Sequence, residues 1–295
     1  MAAPFLLPPG HRIMLIHIGF DIELAVSSPT ALIYMLHVHP SRAADIQGEG
    51  GERVTLCPQL HADHYTDVFG NHCARVDVPQ GVERIRLRNE AVVFDTGWPD
   101  AVNPHAENHD PARLPTATLQ FLLPSRYCEV DSELLSLAWN LFGNVPPGWL
   151  RVQAICDFVH QRVRFDYACA RATRTALEVF RERVGVCRDF THLAIALCRC
   201  MNIPARYATG YLGDIGVPVA PYPMDFSAWF EAYLGDRWYT FDARHNVPRI
   251  GRVVIARGRD AADVPITMVF GANTLERFEV TTEEVVAVPA EVQGA

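Results

Sequence analysis

The apolar positions of the chain change their spacing near its middle. In residues 12–121, short apolar or alternating runs are broken by turn residues, a pattern that predicts β-strands. A hairpin turn is expected at residues 67–71, because Gly70 and Asn71 tolerate positive φ. This half therefore predicts a small all-β unit, a sandwich. Its predicted strands are residues 13–20, 31–38, 54–57, 64–69, 82–87 and 91–95.

The second half has helical spacing first and strands later. Helices are predicted at 131–144, 148–164 and 175–184, and apolar residues at 190, 193, 194, 197 and 201 predict a helix that begins near Cys187. Pro204 ends that helix, a strand follows at 205–212, and a hairpin joins 227–234 to 237–242 through a Gly235-Asp236 turn. We expect an α+β protein in which a β-rich amino-terminal domain, 1–125, precedes a core domain of helices packed on an antiparallel sheet, 126–295.

Length and charge narrow the classes of function. A chain of 295 residues with 49% apolar residues can bury a full core, and its length favours two domains. The formal net charge is −8 and no basic stretch is long enough to follow a phosphate backbone, so nucleic acid is not an expected partner. Residues 1–15 lack the pattern of a signal peptide and no apolar run reaches the length of a membrane span. We therefore expect a cytoplasmic protein that does not bind membranes.

The eight cysteines are expected to be reduced thiols, because the chain is large and shows no secretion signal. Cys198 and Cys200 form a C-x-C inside the predicted helix, where their side chains diverge by about 200°. The sequence has no C-x-x-C, H-E-x-x-H or phosphate-binding glycine loop. It therefore predicts neither a metal site nor an organic cofactor.

Cys187 is the candidate nucleophile. A thiol in the first turn of a helix meets unpaired backbone N–H groups, which favour the thiolate and can lower its pKa. Gly185 is expected to let a carbonyl group approach closely, and the Cys187 N–H is a candidate oxyanion donor. The alternative for any cysteine is a small buried apolar side chain. That alternative is preferred for four others: Cys156, Cys169, Cys198 and Cys200.

A series of ordered motifs resembles a known family. The segments 162–167, 175–180, 185–199 and 203–212 carry RVRFDY, TALEVF, GVCRDFTHLAIALCR and IPARYATGYL. The motifs AWFEAYL, WYTFD and GRDAADV follow from residues 228, 238 and 258. Together they resemble bacterial transglutaminase-like proteins, often called "putative cysteine proteases". The β-rich first part resembles, more weakly, the amino-terminal domain of those proteins.

The resemblance implies a papain-like core with a Cys, His, Asp triad that acts on peptide or amide bonds through an acyl-enzyme. By matching motifs, Cys187 is the nucleophile and Asp242 the residue that orients the base. The histidine position falls on Ser227, which cannot act as a base near neutral pH. Substrate contacts are expected from three residues: Tyr167, Trp229 and Arg244.

Other residues could take the place of the missing base. Counting back from the hairpin turn puts five residues on one face: Ser227, Trp229, Glu231, Asp242 and Arg244. Arg244 either pairs with Asp242 or is a solvated surface residue. His245 has the opposite parity and reaches Asp242 only if the chain turns after residue 243. It is nevertheless the first choice. The other candidates are expected to be structural or surface residues: His160, His192 and Glu231.

The sequence leaves three interpretations open. The protein is an active cysteine peptidase, amidase or acyl transferase with a rearranged base, acting on a peptide or protein substrate. Alternatively, it is a transglutaminase-fold protein of low or absent activity that binds a peptide or a partner chain. In the third interpretation, the β-rich domain is an interaction module. No oligomeric state is predicted.

Overall fold

The computed structural model of the protein describes residues 13–48 and 51–285. Most of the amino-terminal segment, for which the sequence predicts no signal peptide, lies outside these ranges. Within the two ranges, no helix combines the length and the apolar character that crossing a membrane requires.

The described part of the amino-terminal half contains seven strands. Along the first of them the even-numbered apolar residues are buried, which is the two-residue period of a strand with one face in the core. Most of the predicted run 82–87 and all of the run 91–95 lie in one strand, because Asn89 between them is buried and bonds Glu52 instead of making a turn. A strand at 72–78 was not predicted, because Arg75 and Asp77 interrupt its apolar run. The strands are β1 (Met14–Val26), β2 (Thr30–Tyr34), β3 (Ile46–Gln47), β4 (Thr55–Cys57), β5 (Ala62–Thr66), β6 (His72–Val78) and β7 (Arg84–Asp95).

Helices and a second group of strands follow. The helices are α1 (Thr116–Leu119), α2 (Glu133–Phe142), α3 (Trp149–Arg162), α4 (Ala176–Glu182) and α5 (Cys187–Cys200). The strands are β8 (Arg164–Phe165), β9 (Val184–Gly185), β10 (Ala205–Leu212), β11 (Ser227–Leu234), β12 (Arg237–Phe241) and β13 (Arg252–Gly258). Four of these strands form an antiparallel sheet in the order β12-β11-β10-β13. Helix α5 is almost wholly buried and contacts this sheet and helices α2, α3 and α4. The α+β class is thus confirmed.

The hairpin that carries the candidate site has the predicted register. Leu234 pairs with Arg237 across a two-residue turn, in which Gly235 has a φ of 57°. Strand β12 ends at Phe241, one residue before the predicted end, and the chain turns at once. The strand-parity argument therefore does not apply to residues 242–245.

The last two strands, β14 (Thr267–Val269) and β15 (Asn273–Glu284), return to the amino-terminal sheets. One sheet has the order β15-β1-β7-β3, with β4 also paired to β7, and the other has the order β14-β2-β6-β5. The predicted core domain 126–295 therefore contributes a strand to each sheet of the amino-terminal region. The boundary near residue 125 stays a prediction.

Candidate functional site

Cys187 is the first residue of α5, as its sequence position predicts. Its side chain is nearly buried, and the backbone N–H groups of Ala228 and Arg188 donate toward its sulfur. Burial raises the pKa of the thiol to about 11, although the guanidinium of Arg244 opposes the rise. The expected lowering of this pKa is thus wrong for this structure, because removal from water outweighs the helix terminus.

Asp189 fixes the start of the helix. Its Oδ2 atom accepts the Val186 N–H at 2.9 Å and binds the buried Arg174 guanidinium at 2.9 Å. A Cβ atom on Gly185 would lie 2.6 Å from the same carboxylate, so only glycine fits there. The expectation that Gly185 admits a substrate carbonyl is therefore corrected, because the Asp189 side chain already occupies the space beside it.

Asp242 holds the turn that follows β12. Its Oδ1 atom accepts the backbone N–H groups of Arg244 and His245, both at 3.0 Å. Its Oδ2 atom lies 2.9 Å from His245 Nδ1 and 2.9 Å from Nη2 of Arg252. Burial alone would raise the pKa of this carboxyl, but Arg252 and the His245 bonds hold it far below its ordinary value. Asp242 is therefore an anion that faces an imidazole.

Arg244 does not pair with Asp242 through its side chain, as the sequence suggested it could. The guanidinium lies over the ring of Phe165, 3.7 Å from its centroid, whereas Arg252 takes the place beside the carboxylate. The early turn causes this difference, since it directs the Arg244 side chain away from Asp242. The backbone carbonyl of Arg244 accepts a hydrogen bond from His160 Nδ1 at 2.9 Å. His160 thus supports the turn from outside.

Three of the predicted site residues line one cavity with Ser227. The cavity has a volume of about 50 Å³ and is covered by residues of the segment that connects β10 to β11. Cys187 adjoins it through Ala228, the neighbour of Ser227. The lining includes Tyr167, Asp225, Ser227, Arg244 and His245.

Trp229 and Glu231 lie elsewhere. Trp229 is 2% exposed, has Arg252 over its ring and lines a different cavity, so its predicted contact with substrate does not agree with its position. Glu231 binds Arg206 at 2.6 Å and Arg257 at 3.0 Å, and these cations hold its pKa low against the effect of burial. It is a structural carboxylate, as the sequence favoured.

The remaining histidine and cysteine candidates are core residues or ordinary thiols. His192 is fully buried, accepts the Ala261 N–H at 3.1 Å and stacks on Tyr127. All eight cysteines lie in the described ranges and are free thiols. Cys156, Cys198 and Cys200 are buried in the core, as predicted, whereas Cys169 is partly exposed, so its predicted burial is wrong.

Two residues of the site were not found from the sequence. Asp225 lines the cavity and raises the Cys187 pKa, and it stands two residues before Ser227. The two-residue spacing between Asp225 and Ser227 could have placed both on the same face of an extended chain. Arg252 lies ten residues after Asp242 on another strand, and local spacing gives no sign of their contact.

Comparisons with known proteins agree with this architecture. A family model described as the transglutaminase-like superfamily matches residues 136–243, a range that contains Cys187, Ser227 and Asp242 and ends just before His245. A solved structure from Cytophaga hutchinsonii, named a "putative cysteine protease", has 31% identity and a TM-score of 0.78. The match covers 94% of this chain and 92% of that one.

Curated relatives are also bacterial. An uncharacterized protein of Mycobacterium leprae (strain TN) is 23% identical over 242 residues, 78% of this chain and 84% of that protein. Another, from Mycobacterium tuberculosis (strain ATCC 25618 / H37Rv), is 34% identical over 97 residues, 30% of this chain and 31% of that protein. The Cytophaga match extends over nearly the whole of both chains, and the family model spans the helix and the hairpin of the site and ends within its turn. This chain therefore belongs to the transglutaminase-like superfamily.

Proposed function

We propose that the protein is a cysteine enzyme that hydrolyses or transfers acyl groups at peptide or amide bonds, with Cys187 as nucleophile and His245 as general base. The observation that carries the proposal is the 2.9 Å contact between His245 Nδ1 and Asp242 Oδ2, in a cavity that Ser227 also lines. An imidazole held through Nδ1 keeps Nε2 free to accept a proton. Asp242 would thus orient a base at position 245 instead of position 227.

The raised pKa of Cys187 makes a base necessary. With a pKa of about 11, the group is a thiol near neutral pH. In the proposed reaction, His245 takes the thiol proton as sulfur attacks the substrate carbonyl carbon, and returns it to the departing amine as the carbon–nitrogen bond breaks. Water or a second amine then attacks the thioester, and the sulfur leaves as the Cys187 thiol. The first-turn N–H of Cys187 would donate to the developing oxyanion.

Access to the thiol requires movement of the covering segment. The cavity of about 50 Å³ holds on the order of one or two water molecules, too few for an amide side chain with its neighbours. Tyr222 of this segment packs with its ring 5.6 Å from the rings of both Phe165 and Tyr167. A peptide would therefore enter by displacing Tyr222. Tyr167 and Arg244 would then contact the substrate.

The experiment compares four proteins: the natural chain, Cys187→Ala, His245→Gln and the control His105→Gln, which alters an exposed histidine far from residue 245 in sequence. The assays are cleavage of fluorescent casein and incorporation of dansylcadaverine into casein. We expect no product from Cys187→Ala, a loss of roughly 10²–10⁴-fold in His245→Gln, and full activity in His105→Gln. Equal activity of His245→Gln and the natural chain would refute the role of His245.

A second candidate function is favoured by the burial of Cys187. A covered thiol with a pKa of about 11 also suits a protein that binds a peptide or a partner chain through this fold without turnover. That function predicts no product in either assay and equal binding of labelled casein peptides to the natural chain and Cys187→Ala. Cysteine-dependent product would exclude it.

We also propose that the protein acts in the cytoplasm. Eight free cysteines suit a reducing compartment, in which thiols stay reduced.

A further inference from the structure

Three histidines converge in the amino-terminal region, far from the Cys187 cavity in the sequence. His37 follows β2, His64 lies in β5 and His72 begins β6. One ring nitrogen from each lies within 4.8 Å of the others. The closest pair, His64 Nδ1 and His72 Nε2, is 2.9 Å apart.

The strand register explains why these side chains meet. His64 pairs with Ala74 across the β5–β6 hairpin, and His72 is two residues before Ala74 on the same strand. The two histidines are therefore diagonal neighbours on one face of the hairpin. On the other side of β6, Tyr34 pairs with Ala74, which brings the chain after β2 beside His72. The rings of His37 and His72 stack with centroids 4.1 Å apart.

His37 supplies the evidence that a ligand belongs here. Its side chain is 10% exposed, and its Nδ1 lies 3.5 Å from Glu52 Oε2. Its Nε2 is buried and has no hydrogen-bond partner among the described residues. A buried ring nitrogen without a partner is costly unless something satisfies it. A metal ion, which accepts a nitrogen lone pair, would satisfy Nε2 of His37 as well as a hydrogen-bond donor would.

Glu52 is itself held in place. Its Oε2 accepts the backbone N–H of Val38 and its Oε1 accepts the side-chain amide of Asn89, both at 2.8 Å. At 3.5 Å from His37 Nδ1, this fixed carboxylate is a close charged neighbour of the ring and favours the tautomer that carries its proton on Nδ1. That arrangement is the usual support of a metal-binding histidine.

We propose that His37, His64 and His72 form a binding site for a divalent transition metal of the zinc class, backed by Glu52. Three imidazole ligands with a fourth position left open are a set that zinc accepts. In a tetrahedral site with zinc–nitrogen bonds of about 2.0–2.1 Å, ligand nitrogens lie roughly 3.3 Å apart. The 2.9 Å separation of His64 and His72 needs only a small adjustment to reach this value.

Of the three histidines, His64 borders a surface cavity, which would give water or a small ligand a route to the fourth position. His64 lines a surface cavity of about 750 Å³ together with Tyr34, Leu60 and His61. The sequence predicted no metal, because these histidines do not stand at the short spacings of common metal-binding motifs. Two come from strands β5 and β6 and the third from the segment after β2, and only the pairing of β2, β6 and β5 brings them together.

The test uses the full chain, freed of metal by chelator and titrated with Zn²⁺ alone and with Co²⁺ alone. We expect one ion per chain, a Co²⁺ visible spectrum of tetrahedral type, and no thiolate-to-cobalt absorption, since the eight cysteines are not ligands. His64→Ala changes an exposed residue and should weaken Zn²⁺ binding by more than about 100-fold, beyond the effect of altering a supporting residue. The matched control His105→Ala should bind as the natural chain does.

Three results would contradict a metal site formed by these histidines. Zn²⁺ binding below half an equivalent per chain would contradict it, as would equal affinities of the natural chain and His64→Ala. A cobalt spectrum dominated by thiolate absorption would assign the ion to cysteines instead. His37→Asn provides a second variant, and circular dichroism of each protein establishes that it is folded.

Discussion

Asp242 and Glu52 each face a histidine, but their surroundings differ. Asp242 is buried, is paired with Arg252 and lies 2.9 Å from one imidazole beneath a covering segment. Among the described residues no arginine pairs with Glu52, whose Oε2 lies 3.5 Å from Nδ1 of His37, and the His37 ring stacks on that of His72. A carboxylate beside an imidazole thus suits proton transfer at His245, which has a free ring nitrogen. The same combination suits metal binding at His37, where three histidines converge.

The first prediction separates the orienting role of Asp242 from its structural role. Asp242→Asn removes the anion that holds Nδ1 of His245, so the ring can adopt the wrong tautomer. We expect activity per folded protein to fall on the order of 10³–10⁴-fold. Glu231→Gln is the control, because this buried carboxylate is also paired with arginine but does not contact His245. Equal losses of activity in the two variants would show that Asp242 acts only as a structural ion-pair partner.

The second prediction tests the other carboxylate. Glu52→Gln keeps the shape of the side chain but weakens its hold on His37 Nδ1, and Zn²⁺ affinity should fall about 10–100-fold. Casein turnover should not change. The exposed Glu90→Gln, on strand β7, is the control and should keep full affinity. Unchanged affinity in Glu52→Gln would show that Glu52 does not support the site.

The third prediction concerns the pH dependence of Cys187. Arg244 lowers the pKa of the thiol and Asp225 raises it, while burial brings it to about 11. Iodoacetamide labelling of Cys187, followed by peptide mass spectrometry, should therefore rise with pH until about pH 11. At pH 9, Arg244→Gln should slow labelling several-fold, because a higher pKa leaves less thiolate. Asp225→Asn should speed it for the opposite reason.

The exposed Cys57 in the same samples is the internal control for this labelling, because its rate should not respond to either substitution. A plateau of Cys187 labelling near pH 7 would contradict the raised pKa. Changes of the same sign in Arg244→Gln and Asp225→Asn would contradict the charge assignment.

The sequence predicted much of the site but not its turn. Apolar spacing located α5 and strands β10 and β11, and the Gly235-Asp236 turn gave the correct register. The sequence could not show that β12 stops at Phe241. The turn after this strand depends on Asp242 Oδ1, which accepts two backbone N–H groups. Such a bond between side chain and backbone competes with the strand, and residue propensities do not decide the outcome.

Contacts across distant segments were the least predictable part of both sites. Arg252 reaches Asp242 from another strand, and the same arginine lies over the ring of Trp229. The burial of Cys187, which raises its pKa against the effect of the helix terminus, could not be inferred either. The histidine cluster needed the pairing of β2, β5 and β6, of which β6 was not predicted.

The position of the base is the central claim, and one set of rate measurements tests it most directly. Dansylcadaverine incorporation is measured for the natural chain, Ser227→His, His245→Gln and the double variant. If His245 is the base, Ser227→His gives no gain, His245→Gln loses about 10²–10⁴-fold, and the double variant recovers part of that loss. A gain of similar size from Ser227→His alone, with no loss in His245→Gln, would contradict the account.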